Sequence, residues 1–156
     1  MNEFYTWLKD YIKTAFAADS DIAKTVTVEN AYKQGNEVTT DNVPQIQVQI
    51  MDNAESQRYS SFYEGENATY MPMQIAAYTG QMKISGVMKS AQEASIIFGT
   101  KIKNLLHART IQEANGNIMR CRITTMSPAL PLLDGSKVYV TTVRVEFWVA
   151  YPYVSE

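Results

Sequence analysis

Cysteine and histidine are almost absent: the chain has one of each, Cys121 and His107. A single cysteine excludes a disulfide within the chain and a multi-cysteine metal site. A single histidine excludes a two-histidine metal or catalytic cluster. Charge is sparse too, with charged residues at 19% against the usual quarter. The seven glycines are dispersed and match neither GxGxxG nor GxxxxGK[ST] spacing. No GxSxG elbow occurs. No run of eighteen apolar residues exists to span a membrane. The first residues, MNEFYTWLKDYIKTAFA, are broken by Glu3, Lys9 and Asp10 and lack a basic leading segment, so they do not read as a signal peptide. Without secretion, the sequon Asn67-Ala68-Thr69 reads as accidental.

What is present describes a folded chain. Its 156 residues suggest one domain, and area scaling buries roughly 70% of the unfolded surface, enough for a core. Hydrophobic residues at 46% argue against disorder. A pI near 5.5 argues against bulk affinity for nucleic acid. Ten tyrosines suggest rings at contact surfaces. Composition therefore points to a soluble, largely β, non-catalytic protein that meets other proteins.

The net charge of −2 hides an asymmetry. Through Tyr78 there are eleven acids and five bases, a net of −6; beyond it, nine bases and five acids give +4. Sequence halves need not be spatial halves, and chance accounts for such a split. The sharper reading is a polar subunit whose acidic side meets a basic side of its neighbour, a head-to-tail contact that closes into a ring.

Residues 2–17 carry Phe4, Trp7, Leu8, Tyr11, Ile12, Ala15 and Phe16 at helical spacing, with Asn2 as N-cap. The polar face is not basic, so core packing is favoured over a membrane surface. Residues 24–32 suggest a short strand and 33–42 a loop. From Pro44 to Ile50 the pattern alternates: Ile46, Val48 and Ile50 on one face, Gln45, Gln47 and Gln49 on the other. A half-buried antiparallel strand fits. The outward glutamines suit a solvated surface, a water-filled lumen or a wet interface equally. Residues 51–69 form the longest polar stretch, a loop that holds Tyr59, Phe62 and Tyr63. Such a loop is usually functional or mobile, and its rings either make protein contacts or fold back on the domain.

Residues 70–79 read as a strand with Met71, Met73, Ile75 and Ala77 on one face; Pro72 belongs near an edge or the strand start. Ser90-Ala91-Gln92-Glu93 is a capping box. It opens a helix to about His107 with Ala91, Ala94, Ile97, Phe98, Ile102, Leu105 and Leu106 buried. His107 reads as a cap or surface residue. Residues 118–126 and 137–151 read as a long hairpin joined across a loop at 127–136. Met119, Cys121 and Ile123 share the core face of the first strand, and Arg120 and Arg122 the other. In the second strand Val143, Val145, Phe147 and Val149 share a face, and Glu146 on the other could pair with Arg120 or Arg122. The fold class is α+β: a mostly antiparallel (mixed) sheet with two amphipathic helices on one face, in the order α-β-β-β-α-β-β.

Chemistry is hard to assemble from these residues. Cys121 on a core face reads as an inert thiol. Glu64 and Glu66 flank Gly65 in a polar loop, where nothing desolvates them. Arg120 and Arg122 alone are a weak basis for nucleic-acid recognition. No catalytic residue, cofactor or metal is expected.

The element order carries the remaining signal. Pro44–Ile50, Tyr70–Thr79, the helix 90–107 and Val138–Tyr151 together resemble, in size and order, the tail-terminator (tail-completion) proteins of long-tailed bacteriophages. The resemblance spans nearly the whole chain and is architectural. It implies a hexameric ring, located in the virion at the head-proximal end of the tail and assembled in the host cytoplasm. Such a ring caps the tail tube protein, stops its polymerisation and presents a surface to the head–tail connector protein. DNA passes through the lumen without sequence-specific binding, and no membrane is involved. The interface candidates are Tyr59, Phe62, Tyr63, Gln45, Gln47, Gln49, Arg120 and Arg122, with the 127–136 loop second. The rival readings are another connector or head-closure protein, a small ligand-binding α+β module or enzyme, and an unassigned oligomerising domain.

Overall fold

The computed structural model describes residues 2–30, 38–51, 57–60, 67–107, 118–133 and 135–150. Among the described residues, two helices, α1 (Asn2–Ala17) and α2 (Ala91–Leu106), accompany nine strands. These are β1 (Thr27–Asn30), β2 (Gln45–Ile50), β3 (Gln57–Ser60), β4 (Asn67–Thr79), β5 (Met82–Ile84), β6 (Val87–Lys89), β7 (Ile118–Met126), β8 (Leu130–Pro131) and β9 (Tyr139–Ala150). The main sheet runs β1-β2-β4-β9-β7, with β3 on β4 and β8 on β9. Among the described strand pairs of this sheet only β1–β2 is parallel. The result is the expected α+β fold with a mostly antiparallel, mixed sheet.

Strand alternation builds the core. Ile46, Val48, Met73, Ile75, Ala77, Val143, Val145 and Phe147 are buried on one face of the sheet. Leu8, Ile12 and Phe16 of α1 and Ala94, Phe98, Ile102 and Leu106 of α2 join them in one cluster. Both helices therefore cover the same face, as their apolar stripes require. Phe16 meets Phe98 with ring centroids 5.1 Å apart, which joins the two helices directly.

Several sequence expectations need amending. Asn2 lies in the first turn of α1 rather than before it. The 51–69 stretch is not all loop: Gln57–Ser60 pairs with Asn67–Tyr70, so the second long strand starts at Asn67 rather than at Tyr70. Pro72 sits mid-strand, not at an end. Its carbonyl accepts from the Met51 N–H at 3.2 Å, so its missing N–H points to the side where β2 stops and β3 has not yet begun. Met51, one residue past the end of β2, lies opposite it, so the proline forgoes one reciprocal bond at the frayed end of that pairing and the strand tolerates it. The hairpin β5–β6 has no counterpart in the sequence reading. Its turn residues Ser85 and Gly86 have φ of 56° and 77°, the left-handed pair that a tight two-residue hairpin needs.

The capping box of α2 forms as expected. The Glu93 N–H donates to Ser90 Oγ and the Ser90 N–H to Glu93 Oε1, both at 3.2 Å. Those bonds hold the Glu93 carboxyl below its usual range. At the other end His107 is an exposed C-cap whose N–H donates to the Lys103 carbonyl.

One polar contact locates α2 on the sheet, and another ties α2 to the segment that follows α1. The Ser95 and Thr141 hydroxyls are fully buried and hydrogen-bond at 2.8 Å. Ser95→Ala strands the Thr141 hydroxyl and is expected to cost about 1–2 kcal/mol, whereas the double change Ser95→Ala with Thr141→Val is expected to be nearly neutral. Urea denaturation of the three variants checks this; a double variant as unstable as the sum of the singles contradicts it.

At the edge of the helix layer, Lys101 Nζ meets Asp19 Oδ2 at 2.5 Å and Asp21 Oδ2 at 3.7 Å. The hydrogen bond from Lys101 lowers the Asp19 carboxyl from its usual 3.8, outweighing the opposing effect of burial. A carboxyl depressed in the folded state contributes stability that is fully present above its unfolded pKa. That contribution is lost as pH falls through the lowered one. Lys101→Met should therefore lower stability by about 1 kcal/mol at neutral pH and by progressively less toward pH 2. Thermal melts across that range test the convergence.

Candidate interaction surface

The face of the sheet turned away from the helices is polar, and the register fixes its rows. Gln45, Tyr78, Val140 and Leu130 form one row; Gln47, Ala76 and Thr142 form the next. Gln49, Gln74 and Arg144 follow, then Pro72, Glu146 and Arg122. Arg122 and Arg144 are its exposed described cations, and none of its described residues is a lysine. Arginine together with aromatic rings, and few lysines, is the composition of protein contact faces.

The glutamines do not all stand out from it. Gln45 and Gln47 are buried at 2% and 8% exposure; Gln49 is half-buried. The strand β2 is interior, flanked by β1 and β4, and small Ala76 lies opposite Gln47. The amides satisfy one another along the strand: Gln47 Nε2 donates to Gln45 Oε1 at 2.8 Å, and Gln45 Nε2 donates to the Asn42 carbonyl at 3.3 Å. Alternation identified the face correctly but not the exposure, because neighbouring strands supply cover that one strand's pattern does not record. Burial also pushes the Tyr78 hydroxyl pKa up.

The arginine expectation is met at one position. Arg122 donates to Glu146 Oε1 at 2.8 Å and lies 5.9 Å from the Trp148 ring centre. The arginine side chain is half-exposed, so the pair orders the surface more than it stabilises the fold. Arg120 is opposite Trp148 in the register. Of the loop candidates, Tyr59 falls on β3, while Phe62 and Tyr63 lie outside the described residues. So do the acids Glu37, Asp52, Glu55, Glu64 and Glu66. The 127–136 loop presents Leu130 and Leu133, 53% and 73% exposed.

Elsewhere, Cys121 is buried and its thiol donates to the Leu106 carbonyl at 2.8 Å. Among the described residues, no three or more His, Cys, Asp or Glu side chains converge as a metal site would need. No described helix is long and apolar enough to cross a membrane. An open cleft of about 570 Å³ lies between Lys24, Val43, Pro44, Met82, Ser90 and Lys137.

The sequence missed one surface. The hairpin β5–β6 turns Val87 and Met88 outward, 56% and 51% exposed, and Ile96 of the adjacent α2 is 45% exposed. The legible signal was Ser85-Gly86 between two short apolar runs.

No family model matches the chain, and no curated protein does. A solved structure does match. The chain shares its fold with one chain from the virion of a native gene transfer agent (GTA) particle. The TM-score is 0.53 at 12% identity, over 92% of this chain and 94% of the other. The overlap thus includes the helix layer and the sheet together, not a local motif.

Proposed function

We propose that this protein is a structural component of a phage-like virion, and within it a tail terminator. The observation that carries the reading is the end-to-end fold overlap with a virion chain. The element order supplies the finer step, since it resembles that of tail-terminator proteins. In this reading subunits assemble into a ring on the end of the tail tube, block addition of further tube subunits and offer the opposite surface to the connector. The work is mechanical: a rigid sheet, a subunit-to-subunit contact and docking loops suffice, with no catalytic step.

The test is deletion of the gene in the system that produces the particle, with electron microscopy of the products. A terminator's loss gives tails of uncontrolled length and unjoined heads. Tails of normal length beside leaking, unsealed heads point instead to a head-closure protein. Normal infectious particles, or absence of the chain from purified particles by mass spectrometry, overturn the virion reading.

A further inference from the structure

We infer that the hairpin β5–β6 is the docking surface for the 51–66 segment of a second copy of this chain. Two surfaces of complementary chemistry are on the same molecule. The hairpin carries Lys83 and Lys89 and no acid, and exposes Val87 and Met88; α2, which packs against it, exposes Ile96. The acids nearest in sequence and contact are engaged: Asp21 faces Lys101, and Glu93 closes the Ser90 cap. The 51–66 segment is the inverse. It holds Asp52, Glu55, Glu64 and Glu66 against Arg58 alone, together with Tyr59, Phe62 and Tyr63. Opposite charge around apolar contact gives both register and attraction.

Topology decides between self and neighbour. The segment joins the sheet at the start of β4, where Gln57–Ser60 pairs with Asn67–Tyr70 and Met51 bonds to Pro72. The hairpin begins just beyond the other end of β4, after Thr79. Thirteen residues of strand extend about 40 Å. The residues that anchor the segment, Met51 and Gln57–Ser60, therefore lie toward the opposite end of β4 from the hairpin, and a contact between the two surfaces links successive copies head to tail. A heterologous contact of that kind closes into a ring when its rotation allows. The inference rests on the virion reading only for the ring; the contact stands on charge, exposure and topology.

A labelled peptide of residues 51–66, titrated into the full chain, tests it by fluorescence anisotropy. Saturable binding is expected, weakening as salt rises. Two hairpin variants, Lys83→Glu with Lys89→Glu and Val87→Ser with Met88→Ser, should each weaken it at least tenfold. They leave buried Met82 and Ile84 intact, and circular dichroism confirms their fold. A peptide with Glu64→Lys and Glu66→Lys should regain affinity for the double-glutamate hairpin. No binding at millimolar chain, or affinity indifferent to both variants, overturns the inference. Those results would leave the virion reading untouched, since that reading is decided by whether the chain is found in particles.

Discussion

Phe98→Ala is expected to remove about 3–5 kcal/mol of folding stability, enough to unfold a domain of ordinary stability. Phe98 is fully buried, and it is the residue of α2 that meets α1 through Phe16. Removing its ring leaves a cavity at the junction of both helices with the sheet. The sheet cannot fill it, since Ile46, Ile75 and Val143 are fixed by their strand registers. Phe98→Leu fills most of the volume and should cost less than half as much. Urea denaturation measures both. A Phe98→Ala variant within 1 kcal/mol of the parent would mean that the helices do not share the core described above.

Gly99→Ala should destabilise as well, although alanine normally improves a helix interior by about 1 kcal/mol. A Cβ built on Gly99 lies 2.5 Å from Thr141 Cγ2 and 3.2 Å from Met126 Cε. Met126 can move. Thr141 cannot: it is β-branched, fully buried, on a central strand, and its hydroxyl is held by Ser95. The helix must lift from β9, and that should outweigh the propensity gain by about 1–3 kcal/mol. Gly99→Leu is expected not to fold. Thermal melts of the alanine variant give the sign directly, and a raised melting temperature would contradict the close approach.

These two residues show where sequence reading succeeded and where it stopped. Phe98 was legible, because the stripe from Ala94 to Leu106 recurs at helical spacing and a large apolar residue on it has nowhere else to go. Gly99 and Ser95 were not. Both are buried on the face of α2 that touches the sheet, yet a glycine and a serine look like gaps in an apolar stripe. They become meaningful only when Thr141, far along the chain, is brought against them. The strands divide in the same way. Ile46, Val48, Ile75, Val143 and Val145 announced their face by alternation, and the hairpin offered Glu146 either Arg120 or Arg122, of which the tertiary structure chose Arg122.

The sequence by itself determined the α+β class, both helices, the capping box of α2 and the apolar face of each long strand. All of these depend on neighbours within a turn or a strand, so local spacing encodes them. Tertiary structure alone decided the rest. It set β1 parallel to β2 and buried Gln45 and Gln47 between flanking strands. It placed Pro72 opposite the end of β2, where a single ladder bond is forgone. It also put the hairpin β5–β6 just beyond one end of β4 and the β3 pairing at the other. Each depends on which strands become neighbours, and that choice is made by the packing of the whole chain.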